Sequence, residues 1–154
     1  MQSKLFRIVP FEPWHGAIEI NLVETYDQEN WRRHLIDSYH QGPTYTGFYG
    51  DHTVGFGGIR KYWNGVGEGW IMINQERPDV PSLSFVKMMV KEIKEVLKNE
   101  IFVVNGYWRI HAYCHHATPN AGKLLKAIGF KLEGILKRFN PDGTDSNLYS
   151  LVKE

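Results

Sequence analysis

Three side chains able to move protons fall in two short stretches of this sequence. Glu68 opens a β-rich run, and His111 and Tyr113 share one face of an alternating run from Trp108 to Cys114. A carboxylate, an imidazole and a phenol can between them take a proton from a nucleophile and return one to a leaving group. The same residues also have plain structural readings: Glu68 as a solvated hairpin end, His111 and Tyr113 as polar-face residues with ordinary hydrogen bonds. His111, Cys114, His115 and His116 carry donors that zinc favours. On a strand, however, His111 and Cys114 point to opposite faces, and no second Cys or His cluster completes a shell, so no metal is expected. Gly55-Phe56-Gly57-Gly58 lies within a strand rather than opening a helix, so it is not a nucleotide loop and is expected to mark a β-bulge. The chain has no Gly-x-Ser-x-Gly elbow and no P-loop.

The elements that must position these groups follow from periodicity. Leu5 to Val9 reads as an opening strand stopped by Pro10, whose ring removes an N–H and fixes φ. A helix over Trp14 to Leu22 is expected, then a second from Gln28 to Tyr39, capped by Asp27, with Trp31, Leu35 and Tyr39 recurring at fours. Thr44 to Tyr49, Thr53 to Tyr62 and Glu68 to Ile73, separated by Gly50-Asp51-His52 and Asn64-Gly65, form an antiparallel meander. Leu83 to Lys98 is a third helix: Val86, Met89, Val90, Ile93, Val96 and Leu97 make its apolar stripe, and its Lys-rich end suits the helix dipole. Trp108 to Cys114 is a strand and Thr118 to Ile128 a helix closed by Gly129. Phe130 to Phe139 and Ser146 to Val152 pair across Asn140-Pro141-Asp142-Gly143. The fold class is α/β: a mixed α+β sheet with helices on its faces.

Composition narrows the function classes. At 154 residues the chain suits one domain, 1–154, and 42% hydrophobic residues supply a core. Eighteen Lys plus Arg against seventeen Asp plus Glu leave a formal charge of +1, with no bulk field to attract nucleic acid. No apolar run spans a bilayer, so no membrane partner is expected. The single Cys114 excludes an internal disulfide and the opening MQSKLFRIVP lacks a long apolar core, which together give a cytoplasmic expectation.

Leu124-Leu125-Lys126-Ala127-Ile128-Gly129-Phe130, followed by Lys131-Leu132-Glu133-Gly134, resembles the end of the fourth helix and the next strand of the GCN5-related N-acetyltransferases (GNAT), above all their ribosomal-protein branch. The element order matches from the meander onward. The run from Trp70 through Gly129 is also similar to GNAT-like small internal virion proteins of short-tailed bacteriophages. The first resemblance implies a GNAT-like fold, acetyl-CoA as acyl donor, and a small-molecule or protein amine as acceptor. The second implies a virion protein with phage partners.

The family resemblance also implies roles. Glu68, His111 and Tyr113 would serve amine deprotonation and proton return. Backbone at Ile71, Met72 and Ile73 would face the acyl donor. Arg77, Val80, Ser82 and Leu83 would hold its pyrophosphate at a helix N-terminus, and Thr118 stands where many members have Asn, with Asn120 two residues on. The family's phosphate loop runs Gln or Arg, two residues, Gly, one residue, Gly or Ala. Here Val80 and Ser82 replace the small residues, Pro81 deletes a donor and Asp79 adds negative charge. Leu125 stands where many members have a thiolate-protonating Tyr. Lys123, Lys126, Lys131, Lys137 and Arg138 could meet a 3′-phosphate or be a solvated face, with only Glu133 nearby to oppose them. Two readings follow: an acyl-CoA-dependent N-acyltransferase acting on a primary amine, or a catalytically silent GNAT-like protein whose degenerate loop binds acyl-CoA weakly or not at all.

Overall fold

Asn64-Gly65 turns the chain between two long strands, and Gly65 holds a left-handed φ of 80° that a side chain would strain. That turn joins β3 (His52–Trp63) to β4 (Val66–Ile73), and β2 (Thr44–Tyr49) precedes them, so the expected meander is present. The computed structural model describes residues 5–18, 30–76, 78–115 and 119–154. Its other strands are β1 (Phe6–Pro10), β5 (Arg109–His115), β6 (Lys131–Leu136) and β7 (Ser146–Val152). All seven form one mixed sheet in the order β1-β2-β3-β4-β5-β7-β6. No helix among the described residues is long and apolar enough to cross a membrane.

β4 and β5 run parallel, and their pairing is confined to Val66↔Arg109, Gly67↔Ile110 and Glu68↔His111. Beyond Glu68, β4 stays with β3 as far as Ile73↔Gly55, while β5 stays with β7 as far as His115↔Ser146. Each strand follows its antiparallel neighbour, and the two part. The parallel pair therefore splays from Glu68 and His111 onward.

Two helices cover one face. α2 (Ser82–Val96) buries Phe85 and Met89, and α3 (Pro119–Ile128) lies beside it. The expected stop at Lys98 is corrected. The chain continues as a π-helical stretch, Leu97–Val104, with Asn105 N–H donating to the Glu100 carbonyl at 2.8 Å. Burial explains the extension, because Leu97 and Ile101 both pack beneath the sheet and Ile101 is only 1% exposed. The lysines therefore sit partway along a longer element, not at its dipole end. Gly129 closes α3 with φ 117°, and Phe130 N–H reaches back to the Leu125 carbonyl at 2.9 Å, as the Gly cap predicts.

On the other face, α1 (Trp31–Tyr39) buries Trp31 and Leu35 against Phe11 and Phe56, with Trp70 and Met72 alongside. The expected helix from Trp14 is not seen in its described part, which is a short 3₁₀ turn, Pro13–Gly16. His15 accounts for this. Its Nδ1 accepts the Glu12 N–H at 3.1 Å and lies 2.8 Å from Thr46 Oγ1, so the segment is tied down on β2. The remainder of that helix, and the expected cap Asp27 with Gln28, lie outside the described residues.

The expected bulge at Gly55–Gly58 falls one residue earlier. Gly47↔Gly55 is followed by Phe48↔Thr53, leaving Val54 as the extra residue. The glycines instead permit close approach: a Cβ at Gly58 would lie 2.3 Å from the Pro43 carbonyl oxygen and 3.2 Å from the Trp70 ring. A second bulge occurs at Tyr62, between Lys61↔Gly67 and Trp63↔Val66. β6 ends at Leu136, so Phe139 lies in the hairpin loop and not, as expected, in the strand.

Candidate active site

The short β4–β5 seam brings Glu68 and His111 side by side, and the Tyr62 bulge aims a phenol at both. Tyr62 Oη donates to Glu68 Oε2 at 3.4 Å, and its ring meets the His111 imidazole edge-on at 4.8 Å. His111 packs against Tyr113 at 5.5 Å, and Tyr113 stacks on Phe139 at 5.0 Å. All three proton-moving residues expected from the sequence are thus in one cluster.

His111 is not a polar-face residue with ordinary hydrogen bonds. It is only 6% exposed, and its Nδ1 is buried with no hydrogen-bond partner among the described residues. A buried unpaired ring nitrogen costs free energy unless something meets it. Burial, and then the Arg109 charge, lower the His111 pKa, partly offset by Glu68 and Glu133. It is therefore a neutral imidazole at pH 7, a state in which it can accept a proton.

Glu68 is not a free hairpin end either. Arg60 NH1 lies 3.9 Å from its Oε2, yet Arg60 is itself held by an Nε donation to Ser38 Oγ at 3.0 Å and by its position over the Trp70 ring. The carboxylate is oriented without being saturated. Glu133, by contrast, is gripped by both terminal nitrogens of Arg109 at 2.9 Å. That bidentate pair, with a Ser150 hydrogen bond, holds the Glu133 carboxyl below its ordinary range. Burial, the Tyr113 hydrogen bond and nearby Glu68 push the Tyr62 hydroxyl well above its usual pKa, keeping it a donor.

The residues expected to hold a cofactor line the far limb of β4 and the helix starts beyond it. Ile71 is half exposed on β4, Met72 packs in the α1 layer, and Ile73 pairs with Gly55. Asn74 ends β4 by donating its Nδ2 to the Thr53 carbonyl at 3.0 Å, which fixes the start of the loop toward α2. Val80 packs against the Phe6 and Phe85 cluster, and its N–H is spent on the Pro78 carbonyl at 2.8 Å. Ser82 and Leu83 stand exposed in the first turn of α2, preceded by Pro81, and among the described residues no side chain caps that end. Asn120 is exposed in the first turn of α3, and Arg77 and Thr118 lie outside the described residues. In the expected basic patch, Lys137 pairs with Asp145 at 3.3 Å, while Glu133 turns to Arg109 and away from the lysines.

Solved acetyltransferases superpose on this mixed sheet and its helices over nearly the whole chain. The fold is that of the GNAT acetyltransferases. Ard1 from Thermoplasma volcanium superposes with a TM-score of 0.74 at 12% identity, covering 97% of this chain and 98% of that one. A spermidine N-acetyltransferase SpeG chimera from Vibrio cholerae and hSSAT gives 0.70 at 16% identity, covering 96% and 95%. A ribosomal-protein-S5-alanine acetyltransferase from Vibrio fischeri gives 0.68 at 12% identity, covering 100% and 96%. No family model and no curated protein matches the chain by sequence. The GNAT likeness is thus one of architecture.

Sequence reasoning missed Tyr62, Trp70 and Phe139. The Trp70 Nε1 is a second buried polar atom with no partner among the described residues, two positions along β4 from Glu68. A Trp within a glycine-rich meander was the available signal, since Gly58 opposite it leaves room for the indole.

The buried His111 gives a pH test with a defined sign. Its folded pKa lies below the unfolded value of about 6.5, so its stabilising effect is full above that value. It is lost as the pH falls through the depressed folded value, because the unfolded chain binds the proton more readily. His15 shifts in the same direction through burial. His111→Phe should therefore lessen, and not abolish, the acid loss of stability between pH 7 and 5 in urea unfolding. An unchanged acid limb would mean that His111 is protonated in the folded protein.

Proposed function

We propose that the protein is an acyl-CoA-dependent N-acyltransferase acting on a primary amine. The observation that carries this reading is the buried, unpaired Nδ1 of His111 beside an unsaturated Glu68, at the point where β4 and β5 part. A buried imidazole nitrogen left without a partner costs free energy, so it marks a place where a ligand group can meet it.

Acetyl-CoA is the donor the resemblance implies, and the residues present fit it in part. Past Glu68 the β5-facing edge of β4 through Ile71, Met72 and Ile73 has no strand partner among the described residues, so its backbone can hold an amide-bearing chain as a further strand would. The N–H groups of Ser82 and Leu83 at the uncapped start of α2 suit a diphosphate. Val80 contributes no N–H there, and Pro81 has none. Arg77, Thr118 and Asn120 complete the proposed contacts. Bound in this gap, the donor supplies a thioester carbon open to an amine, with a thiol as leaving group.

The chain's own residues then have distinct tasks. Glu68 attracts the ammonium and takes its proton, exposing the lone pair. Neutral His111 stabilises the charge change next to it. The Tyr62 hydroxyl, linked to that of Tyr113, retains a proton that can return to the departing sulfur. The packed rings exclude water from the amine, which strengthens each of these interactions.

A second reading has its own support: the spent Val80 N–H and Pro81 at the helix cap favour a silent GNAT-like protein. A virion role with phage partners rests on sequence pattern alone. The two are separated by titrating acetyl-CoA and following thermal unfolding. A donor that binds only the native state adds about 2.7 kcal/mol at a hundredfold excess over its Kd. For this chain length that raises Tm by roughly 5 to 10 °C. No rise for the parent, with a rise for Val80→Gly, Pro81→Lys, Ser82→Gly, would establish the silent reading and locate its cause.

A further inference from the structure

The cluster holds more than an acid–base pair. Phe139, Tyr113, His111 and Tyr62 form a continuous row of rings, with centroid spacings of 5.0, 5.5 and 4.8 Å. Its two ends are open: Tyr62 is 42% and Phe139 is 52% exposed. Phe139 is placed by its loop rather than by a strand. Arg138 N–H donates to Asp145 Oδ1 at 3.0 Å, and Asn140 Nδ2 donates to Thr144 Oγ1 at 3.1 Å. Thr144 Oγ1 in turn lies 2.8 Å from His115 Nε2 on β5. The loop thereby holds an apolar ring in water beside Tyr113, an arrangement that leaves apolar surface exposed unless a ligand covers it.

Charge is distributed unevenly around this row. Glu133 is saturated by Arg109, and Asp142 in the Phe139 loop is engaged by Thr144 and by His115 at 3.6 Å, whereas among the described residues Glu68 has only a long contact to Arg60 and one long hydrogen bond. One carboxylate is therefore available to one ammonium. A second ammonium on the same ligand would meet Arg109 with a carboxylate already neutralised by it, or Asp142, which Thr144 and His115 already engage.

We infer that the acceptor is a monoamine carried on an aromatic or other apolar body, its ammonium at Glu68 and its body against Tyr113 and Phe139, and not a polyamine. This deepens the proposed function and rests on its placement of the acceptor at Glu68. A ring laid against the row gains the stacking of an aromatic pair. An ammonium near the Tyr62 face adds a cation–π contact.

The test is calorimetric titration of the protein, without acetyl-CoA, with 2-phenylethylamine, n-butylamine and spermidine in turn. 2-Phenylethylamine should bind about two- to tenfold more tightly than n-butylamine, the range that one aromatic contact supplies. Spermidine should be no tighter than n-butylamine. Phe139→Ala, which changes an exposed loop residue, should bring 2-phenylethylamine down to n-butylamine with an unchanged Tm. Spermidine binding tightest, equal binding of all three, no binding by any, or a ring preference that survives Phe139→Ala would each overturn the inference. Ring-selective binding without acyl transfer once acetyl-CoA is added would leave it standing and overturn the catalytic reading. Acyl transfer that favours spermidine would do the reverse.

Discussion

Glu68→Gln is expected to lower kcat for amine acylation by about two to four orders of magnitude, the range that a positioned proton acceptor contributes. The substitution keeps the shape of the side chain and removes its charge and basicity. Arg60 would remain in place through Ser38 and Trp70, and the Glu68–Arg60 contact at 3.9 Å is long and partly solvated. Stability should therefore change by no more than about 1 kcal/mol. Because Glu68 is assigned both the ammonium and its proton, KM should rise as kcat falls. Steady-state rates with 2-phenylethylamine and acetyl-CoA measure both. A kcat within threefold of the parent would remove Glu68 from the chemistry, and a rise in KM alone would reduce it to an anchor.

The largest expected effect on folding is at Phe130. It is 6% exposed and belongs to the main core with Ile101, Ile110, Ile128 and Tyr149. It lies directly after the Gly129 cap, so its position is set by the end of α3 and by the start of β6 together. Neither element can shift alone to close a void. Phe130→Ala should accordingly cost about 3 to 5 kcal/mol, the sum of lost transfer energy and a cavity that stays open. That is a large part of the 5 to 15 kcal/mol typical of a whole domain. Urea unfolding should show the midpoint falling with little change in slope. A loss below about 1 kcal/mol would show that the core closes around the gap.

Strands with clear alternation and turn glycines were legible from the sequence, as was the Gly129 cap, because local backbone preference decides them. The π-helical continuation was not. Its cause is the burial of Ile101, a tertiary demand that leaves no mark in a stripe read at helical spacing. The candidate residues Glu68, His111 and Tyr113 were picked out by type, but their partners depended on register. Counting back from Asn64-Gly65 pairs Glu68 with Lys61, and the bulge at Tyr62 moves it to Arg60. That one-residue slip decides which cation orients the carboxylate and places a phenol beside it. The burial of His111 was likewise hidden, since it needs rings from β3 and β5 to converge.

The three-rung seam between β4 and β5 has a mechanical consequence. The sheet is two panels, β1 to β4 and β5 to β7, whose ladder among the described residues joins them only at Val66–Glu68 and Arg109–His111. At the lower end the Gly65 carbonyl accepts both Trp108 N–H at 2.8 Å and Arg109 N–H at 3.0 Å, which acts as a pin. A small swing of one panel about that pin widens or narrows the far gap without breaking any rung beyond Glu68. The aperture above the site is thus set by side chains and whatever lies between them. The ladder itself offers it no resistance.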